Sequence, residues 1–192
     1  MKPARLSPAV VGKLISALLL FSLAMAQSAE PKDFLGKHAR DFTAPRLDGG
    51  EVKLSALYGK GPVVFVMLRG WPGYQCPICS RQVGEFIMEA DRFKGAHVVF
   101  LYPGPAEKLK EHAGEFSGKV GKDWPDNFIF AIDPDYHVTN LYGIRWDKKR
   151  ETAYPATLVI DSKGVVRFAE ISSSHGGRVK ASKAAEELGK VR

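Results

Sequence analysis

Two uninterrupted apolar runs with a helix between them constrain this fold more than any other feature of the sequence. Residues 63–68 and 96–102 are rich in β-branched and aromatic side chains, as expected for strands buried on both faces. Residues 77–93 carry apolar side chains at helical spacing and are followed by Gly95, a residue type that often ends helices. The three segments predict a β-α-β unit with two parallel strands and a right-handed crossover.

The remaining sequence continues the alternation of strands and helices. A short hairpin is predicted around the Asp-Gly-Gly turn in residues 47–54, and a second hairpin around Ser-Lys-Gly in residues 156–169. A further strand is predicted at 128–132, and helices at 106–116, 137–142 and 179–191. The pattern predicts one α/β domain over residues 32–192, with a central mixed β-sheet flanked by helices.

The first 26 residues have the three-part layout of a secretory signal peptide. Lys2, Arg5 and Lys13 precede an apolar stretch at 14–23, and Ala-Met-Ala at 24–26 offers a cleavage site. The apolar stretch is shorter than the ~20 residues that span a bilayer. We therefore expect residues 1–26 to be removed, without stable membrane anchoring, and the protein to be exported to the periplasm or secreted. Such a compartment permits disulfides.

The net charge of +7 does not indicate a nucleic-acid partner. Loss of the three basic residues of the signal segment lowers the charge to +4. The other Lys and Arg residues alternate with Asp and Glu, and no basic run lies beside aromatic residues. The sequence therefore predicts no nucleic-acid binding.

The two cysteines form a Cys-x-x-Cys pair where the first buried strand gives way to a helix. Pro77 suits the first helical position, which places Cys76 at the N-cap and Cys79 one turn into the helix. Residues three apart share a helix face, so the two sulfurs are expected within bonding reach. The helix N-terminus favours the thiolate, which is the nucleophile. We therefore predict a redox-active pair that is open to reactants.

Other uses of two cysteines are less consistent with the sequence. Two cysteines exclude a disulfide-dense scaffold, a four-cysteine zinc site and a cysteine-ligated iron–sulfur cluster. A c-type haem would need His at position 80, which is Ser80, and the histidines are scattered singly, so no cofactor or metal is expected. An inert disulfide closing four residues would contribute only about 2 kcal/mol, against ~3 for a fifteen-residue loop.

Three further segments carry recognisable patterns. They are Ala-Arg-Asp-Phe-Thr-Ala-Pro at 39–45 with Leu-Asp-Gly at 47–49, Ile-Asp-Pro-Asp at 132–135 with Leu-Tyr-Gly at 141–143, and Thr-Leu-Val-Ile-Asp-Ser-Lys-Gly at 157–164. In this order they resemble the AhpC/TSA peroxiredoxin branch of the thioredoxin-fold superfamily. The resemblance implies a thioredoxin-like fold with an N-terminal β-hairpin extension.

The active-site loop departs from that family in two places. Peroxiredoxins carry Pro, three residues, Thr, two residues and then the peroxide-attacking Cys. Here Pro72 takes the Pro place and is expected to shield the site, while Cys76 replaces the Thr and Cys79 takes the attacking place. The family also places an Arg where this chain has Pro155. Thioredoxin-like proteins have a cis-Pro there, so the resemblance implies a cis Tyr154–Pro155 bond.

Two chemistries follow from the resemblance. As a peroxidase, Cys79 attacks a hydroperoxide and Cys76 resolves the sulfenic acid as a disulfide. Arg69, Arg81 or Arg145 must then replace the missing Arg. As a thiol–disulfide exchanger, Cys76, exposed at the N-cap, attacks a protein disulfide, Cys79 resolves it, and Pro155 presents backbone to the partner. In either chemistry the implied electron donor is a thiol, such as a thioredoxin-like protein.

A third hypothesis is a non-catalytic thioredoxin-fold binding module. Trp71 and Tyr74 flank the cysteines and would supply a hydrophobic patch for a partner. The alternative for both residues is packing within the loop.

Overall fold

The computed structural model describes residue 30, residues 33–121 and residues 123–191. The predicted signal peptide lies outside the described residues. The strands are β1 (Thr43–Pro45), β2 (Glu51–Lys53), β3 (Val63–Met67), β4 (His97–Gly104), β5 (Phe128–Pro134), β6 (Ala156–Ile160) and β7 (Val166–Ile171). The helices are α1 (Leu54–Tyr58), α2 (Pro77–Met88), α3 (Leu109–Val120), α4 (His137–Leu141) and α5 (Ala181–Gly189).

The central sheet has five strands in the order β5-β4-β3-β6-β7. Strand β3 pairs parallel to β4, β4 pairs parallel to β5, and β3 and β7 both run antiparallel to β6. Strands β1 and β2 form a separate antiparallel hairpin. The predictions of a mixed sheet with flanking helices and of an N-terminal hairpin are confirmed.

Strand β3 is buried on both faces because each face meets its own core layer. Side chains alternate along a strand, so Val64 and Val66 pack with α2, α3 and α5, whereas Phe65 and Met67 pack with the N-terminal hairpin and α4. This arrangement explains why the run lacks polar residues. The carboxyl end of β3 leads into the loop that precedes α2.

Two helices differ from their predicted bounds by more than two residues. The helix predicted at 77–93 ends at Met88 and is followed by a 3₁₀ turn, Ala90–Phe93. The helix predicted at 106–116 runs instead over Leu109–Val120. It starts late because Lys108 has a left-handed backbone (φ 55°) and the Ala106 N–H bonds the Asp135 carboxylate. Within the described residues, no helix combines the length and apolar character needed to cross a membrane.

Helix α2 is fixed to the sheet by an aromatic cluster, which sets the position of its first turn. Phe86 is fully buried, stacks on Phe93 at 5.1 Å and meets Phe100 edge-on at 5.4 Å. We expect Phe86→Ala to lower the free energy of unfolding by about 3–5 kcal/mol, measured by urea denaturation. Met88 on the same helix is 80% exposed, and Met88→Ala should cost less than ~0.5 kcal/mol. Equal losses from the two variants would contradict this account of the core.

Candidate active site

The loop between β3 and α2 is held against β4 by backbone contacts. The Trp71 N–H donates to the Pro103 carbonyl oxygen at 2.8 Å. At Gly70 (φ 70°), a Cβ atom would lie 1.8 Å from the same oxygen, so no other residue type fits there. The close approach fixes the path of the chain into α2.

The residue before the first cysteine is anchored on two elements. The Gln75 amide oxygen accepts a hydrogen bond from the buried Tyr102 hydroxyl at 2.9 Å. The Gln75 amide nitrogen donates to the His112 carbonyl oxygen of α3 at 2.8 Å. Gln75 therefore ties the entrance of α2 to β4 and α3.

The predicted helix start is confirmed. Pro77 is the first helical residue, and Cys76 is the N-cap, with an extended backbone (φ −82°, ψ 111°). Both cysteines are free thiols, and a hydrogen bond joins their side chains. The two sulfurs therefore lie close together, as the three-residue spacing predicted.

The prediction that Cys76 is exposed is wrong. Cys76 is 2% exposed and Cys79 0% exposed, and both belong to the core layer that includes Leu68 and Tyr102. The cause is long-range packing: the loop before Cys76 is tied to β4 and α3, and Arg178 lies on Cys79. Reactants therefore reach the pair only through a local opening of this cover.

The two thiols differ in acidity. The hydrogen bond from the Cys79 side chain lowers the pKa of Cys76 to about 5, and the Cys79 N–H and the positive charges of Arg178 and Arg69 act in the same direction against burial. Burial raises the pKa of Cys79, which lies deeper. Cys76 is therefore the more acidic thiol of the pair, and the one expected to lose its proton first.

This difference predicts a titration that can be followed spectroscopically. The pKa of Cys76 is lowered, so its thiolate is present above pH 5 and is lost as the pH falls through about 5. Thiolate absorbance at 240 nm should show this midpoint in the reduced protein. Cys76→Ser should lose the acidic transition. A wild-type midpoint near the ordinary thiol value of ~8.5 would contradict the assignment.

A guanidinium that the sequence analysis missed completes the site. The Arg178 Nη2 donates to Cys79 Sγ at 3.1 Å, and its Nη1 donates to Gln82 Oε1 at 3.1 Å. Arg178 lies between β7 and α5, ninety-nine residues from Cys79. The Gln82 amide nitrogen in turn donates to the Val179 carbonyl oxygen at 3.1 Å, which holds this segment on α2.

The three arginines proposed from the sequence occupy different places. Arg69 is 4% exposed, donates to Glu151 at 3.0 Å, and lowers the pKa of Cys76 through its charge. Arg81 is exposed on α2 and lines a groove beside Arg178. Arg145 donates to the Trp146 carbonyl oxygen at 2.7 Å, and within the described chain it bonds neither cysteine. Among the described residues, Arg178 is the arginine whose side chain bonds a cysteine sulfur.

The two prolines proposed to support the site also differ from one another. Pro72 lies half-buried in the loop before Cys76. The prediction of a cis bond before Pro155 is wrong, because no peptide bond among the described residues is cis. The trans form is intrinsically favoured before proline. The chain here enters β6 extended, with the Pro155 carbonyl oxygen accepting from the Ser172 N–H at 2.8 Å.

The aromatic residues beside the cysteines do not act as one exposed patch. Trp71 stacks on His112, with ring centroids 3.6 Å apart. Tyr74 is 41% exposed, and the Arg69 guanidinium lies 4.9 Å from its ring centroid. Trp71 therefore serves loop packing, and of the two only Tyr74 presents much of its surface.

Comparison with known proteins agrees with this geometry. The sequence profile described as the AhpC/TSA family matches residues 35–169. No protein of curated function matches the chain significantly.

Solved structures with the same fold include peroxiredoxins and disulfide oxidoreductases. A peroxiredoxin-like protein from Aquifex aeolicus has a TM-score of 0.68 at 14% identity, covering 86% of this chain and 90% of its own. The peroxidoxin BcpB from Mycobacterium tuberculosis has a TM-score of 0.63 at 23% identity, with 83% and 98% covered. A secreted M. tuberculosis disulfide oxidoreductase homologous to E. coli DsbE has a TM-score of 0.56 at 18% identity, with 78% and 95% covered.

These identities establish a shared fold, and the profile match extends over more than half of the chain. The matched region contains the Cys-x-x-Cys pair at the start of α2. The chain therefore belongs to the AhpC/TSA family of thioredoxin-fold proteins and is a thiol-dependent oxidoreductase.

Proposed function

We propose that this protein reduces hydroperoxides, using Cys76 and Cys79 as a redox-cycling dithiol. The contact of Arg178 with Cys79 Sγ at 3.1 Å is the observation that carries the proposal. Cleavage of an oxygen–oxygen bond needs positive charge near the departing oxygen. The family's usual arginine position is Pro155 in this chain, and Arg178 supplies a guanidinium at the thiol pair from another part of the fold.

The burial of the pair also supports a small substrate. Cys76 is 2% exposed and Cys79 is 0% exposed. A hydroperoxide needs only a narrow opening to reach Cys76, whereas a protein disulfide brings two chain segments with it. The closed site therefore favours a hydroperoxide as the oxidant.

The difference in acidity supports a division of roles between the two thiols. The Cys76 thiolate forms an S–O bond with the terminal peroxide oxygen, and the O–O bond breaks. The departing oxygen leaves with the bonding electrons and takes the Cys79 proton, giving an alcohol or water. Cys79, now a thiolate beside Arg178, attacks the Cys76 sulfenic acid. An S–S bond forms, and hydroxide leaves and takes a solvent proton as water.

The roles are therefore reversed relative to the family frame, in which the Cys79 position attacks. The reversal follows from the lowered pKa of Cys76 and the raised pKa of Cys79. We propose that a thiol donor such as a thioredoxin-like protein reduces the resulting disulfide. We also propose that the reaction takes place outside the cytoplasm, on the strength of the signal-like segment at residues 1–26.

The test is the stoichiometry of the reduced protein with hydrogen peroxide. Without a donor, one equivalent of peroxide should be consumed, two thiols lost, and a Cys76–Cys79 disulfide found by peptide mapping. Added dithiothreitol should convert this into turnover. Peroxide consumption no faster than that of a Cys76→Ser/Cys79→Ser double variant would refute the proposal.

Thiol–disulfide exchange is the second candidate, favoured by the acidity of the first cysteine of the pair. A low-pKa thiolate at that position is suited to attack on a disulfide. Reduction of insulin disulfides in the same preparations separates the two functions. Rapid insulin reduction without peroxide turnover would establish exchange in place of peroxide reduction.

A further inference from the structure

The segment that carries Arg178 connects β7 to α5 and has no regular secondary structure of its own. It spans residues 172–180 and includes two exposed glycines at 176–177, which offer no side chain to hold it. At its far end, the Val179 carbonyl oxygen accepts the hydrogen bond from Gln82 of α2. The position of Arg178 therefore also depends on what holds the segment on the other side of the glycines.

The side chain of His175 holds that side of the segment. Its ring stacks on Trp146, with ring centroids 4.9 Å apart and planes inclined by 21°. Its Nε2 atom lies 3.2 Å from Glu151 Oε1, within ion-pair distance. Trp146 and Glu151 both belong to the stretch between α4 and β6, so His175 ties the segment to a separate part of the fold.

The main chain of His175 acts on the guanidinium itself. The Arg178 Nε donates to the His175 carbonyl oxygen at 3.2 Å. Because the guanidinium is planar, this bond restricts the rotation of the plane that carries Nη1 and Nη2. Those two nitrogens bond Gln82 and Cys79. The carbonyl oxygen of His175 therefore helps to direct the guanidinium at the sulfur.

The carboxylate that anchors His175 also contacts the arginine on the other side of the thiol pair. The Glu151 side chain is 13% exposed, and its second oxygen, Oε2, accepts from the Arg69 Nε at 3.0 Å. Arg69 is buried, and its positive charge helps to lower the pKa of Cys76. Loss of a partner from a charge so little exposed is costly, which favours keeping both contacts. One carboxylate thus connects the surroundings of the two thiols.

We propose that His175 is a positioning residue for Arg178, anchored by Glu151 and Trp146. The inference rests on the proposed function and adds to it a residue that acts through the guanidinium. The ring of His175 keeps its own carbonyl oxygen in place, and that oxygen orients Arg178. A displacement of about 1 Å in a reacting group can cost a hundredfold in rate, so loss of this anchor should slow the reaction.

The first test is kinetic. His175→Ala is expected to lower kcat/KM for hydrogen peroxide by about tenfold, because Arg178 keeps its charge but loses its anchored carbonyl partner. His175→Gln should stay within about threefold of wild type, because its amide nitrogen can donate to the Glu151 carboxylate. The matched control is His137→Ala, which removes an exposed histidine at the start of α4 and should leave the rate unchanged.

A double variant separates positioning from general damage to the fold. In the Arg178→Met background, adding His175→Ala should change the rate by less than about twofold, since no guanidinium remains to be oriented. A tenfold loss that persists in that background would show that His175 acts independently of Arg178 and would overturn the inference. A loss below about twofold in His175→Ala alone would overturn it as well.

A measurement without peroxide distinguishes this inference from the proposed function. The charge of Arg178 helps to lower the pKa of Cys76, so His175→Ala should move the 240 nm titration midpoint to higher pH, as Arg178→Met should. The double variant should show little further shift. This pattern would support the positioning role even if the wild-type protein consumed no peroxide. An unchanged midpoint in His175→Ala would refute it, whether or not peroxide is reduced.

Discussion

Cys76→Ser is expected to abolish hydroperoxide reduction, lowering the rate by at least about a thousandfold, as removal of a nucleophile does elsewhere. A serine hydroxyl does not ionise at neutral pH, so the variant lacks the anion that attacks. Cys79→Ser should behave differently. It should still consume one equivalent of peroxide, more slowly because Cys76 loses the hydrogen bond that lowers its pKa, and then stop as a sulfenic acid.

Stopped-flow peroxide assays and dimedone trapping with mass spectrometry distinguish the two variants. The dimedone adduct is expected on Cys76 in Cys79→Ser, with no adduct in the Cys76→Ser protein. The reverse pattern would be an inactive Cys79→Ser variant and a dimedone adduct on Cys79 in the Cys76→Ser variant. It would show that Cys79 attacks the peroxide, as the family pattern implies. In that case the assignment drawn from acidity would be wrong while peroxide reduction remained.

Arg178→Met is expected to lower kcat/KM for hydrogen peroxide by about a hundredfold, the usual effect of removing one group that stabilises developing charge. Methionine keeps much of the side-chain length but removes the charge and all three hydrogen bonds, to Cys79, Gln82 and the His175 carbonyl oxygen. The pKa of Cys76 should rise, because the Arg178 charge helps to lower it. The 240 nm titration midpoint should therefore move to higher pH in this variant.

Arg81→Met is the matched control, because Arg81 lines the same groove but bonds neither sulfur. Its activity with hydrogen peroxide should stay within about twofold of wild type, because the charge of a solvent-exposed arginine that bonds neither sulfur is largely screened. Arg178→Lys should recover part of the lost rate, since a charge returns without the paired donors. A loss below about threefold in Arg178→Met, with folding intact by circular dichroism, would remove Arg178 from the reaction.

The sequence was most informative where local physics decides the structure. The run 63–68 has no polar residue, and only a strand covered on both faces accommodates it, so β3 was predicted within one residue. Pro77 lacks an N–H and suits the first turn of a helix, which fixed the N-cap at Cys76. Gly70 and Gly95 fall where the backbone has positive φ, one at a close approach and the other after the 3₁₀ turn.

The rest of the site depends on contacts between distant parts of the chain. Arg178 shares no spacing or motif with the cysteines, and only the packing of the β7–α5 segment on α2 brings it to Cys79. The burial of Cys76 likewise depends on the hydrogen bonds of Gln75 to β4 and α3. The peptide bond before Pro155 is trans, at the point where the chain enters β6. The resemblance to thioredoxin implied a cis bond there, and no local signal in the sequence argued against it.

The position of Arg178 in the chain affects the design of truncated variants. The family profile stops at residue 169, whereas the guanidinium on Cys79 comes from beyond that boundary. A truncated fragment chosen by the profile alone would retain both thiols and the whole Cys-x-x-Cys turn. It would nevertheless lack its cationic partner, as well as α5, which covers one side of the core. A fragment that keeps this contact must therefore extend beyond residue 169 and include Arg178.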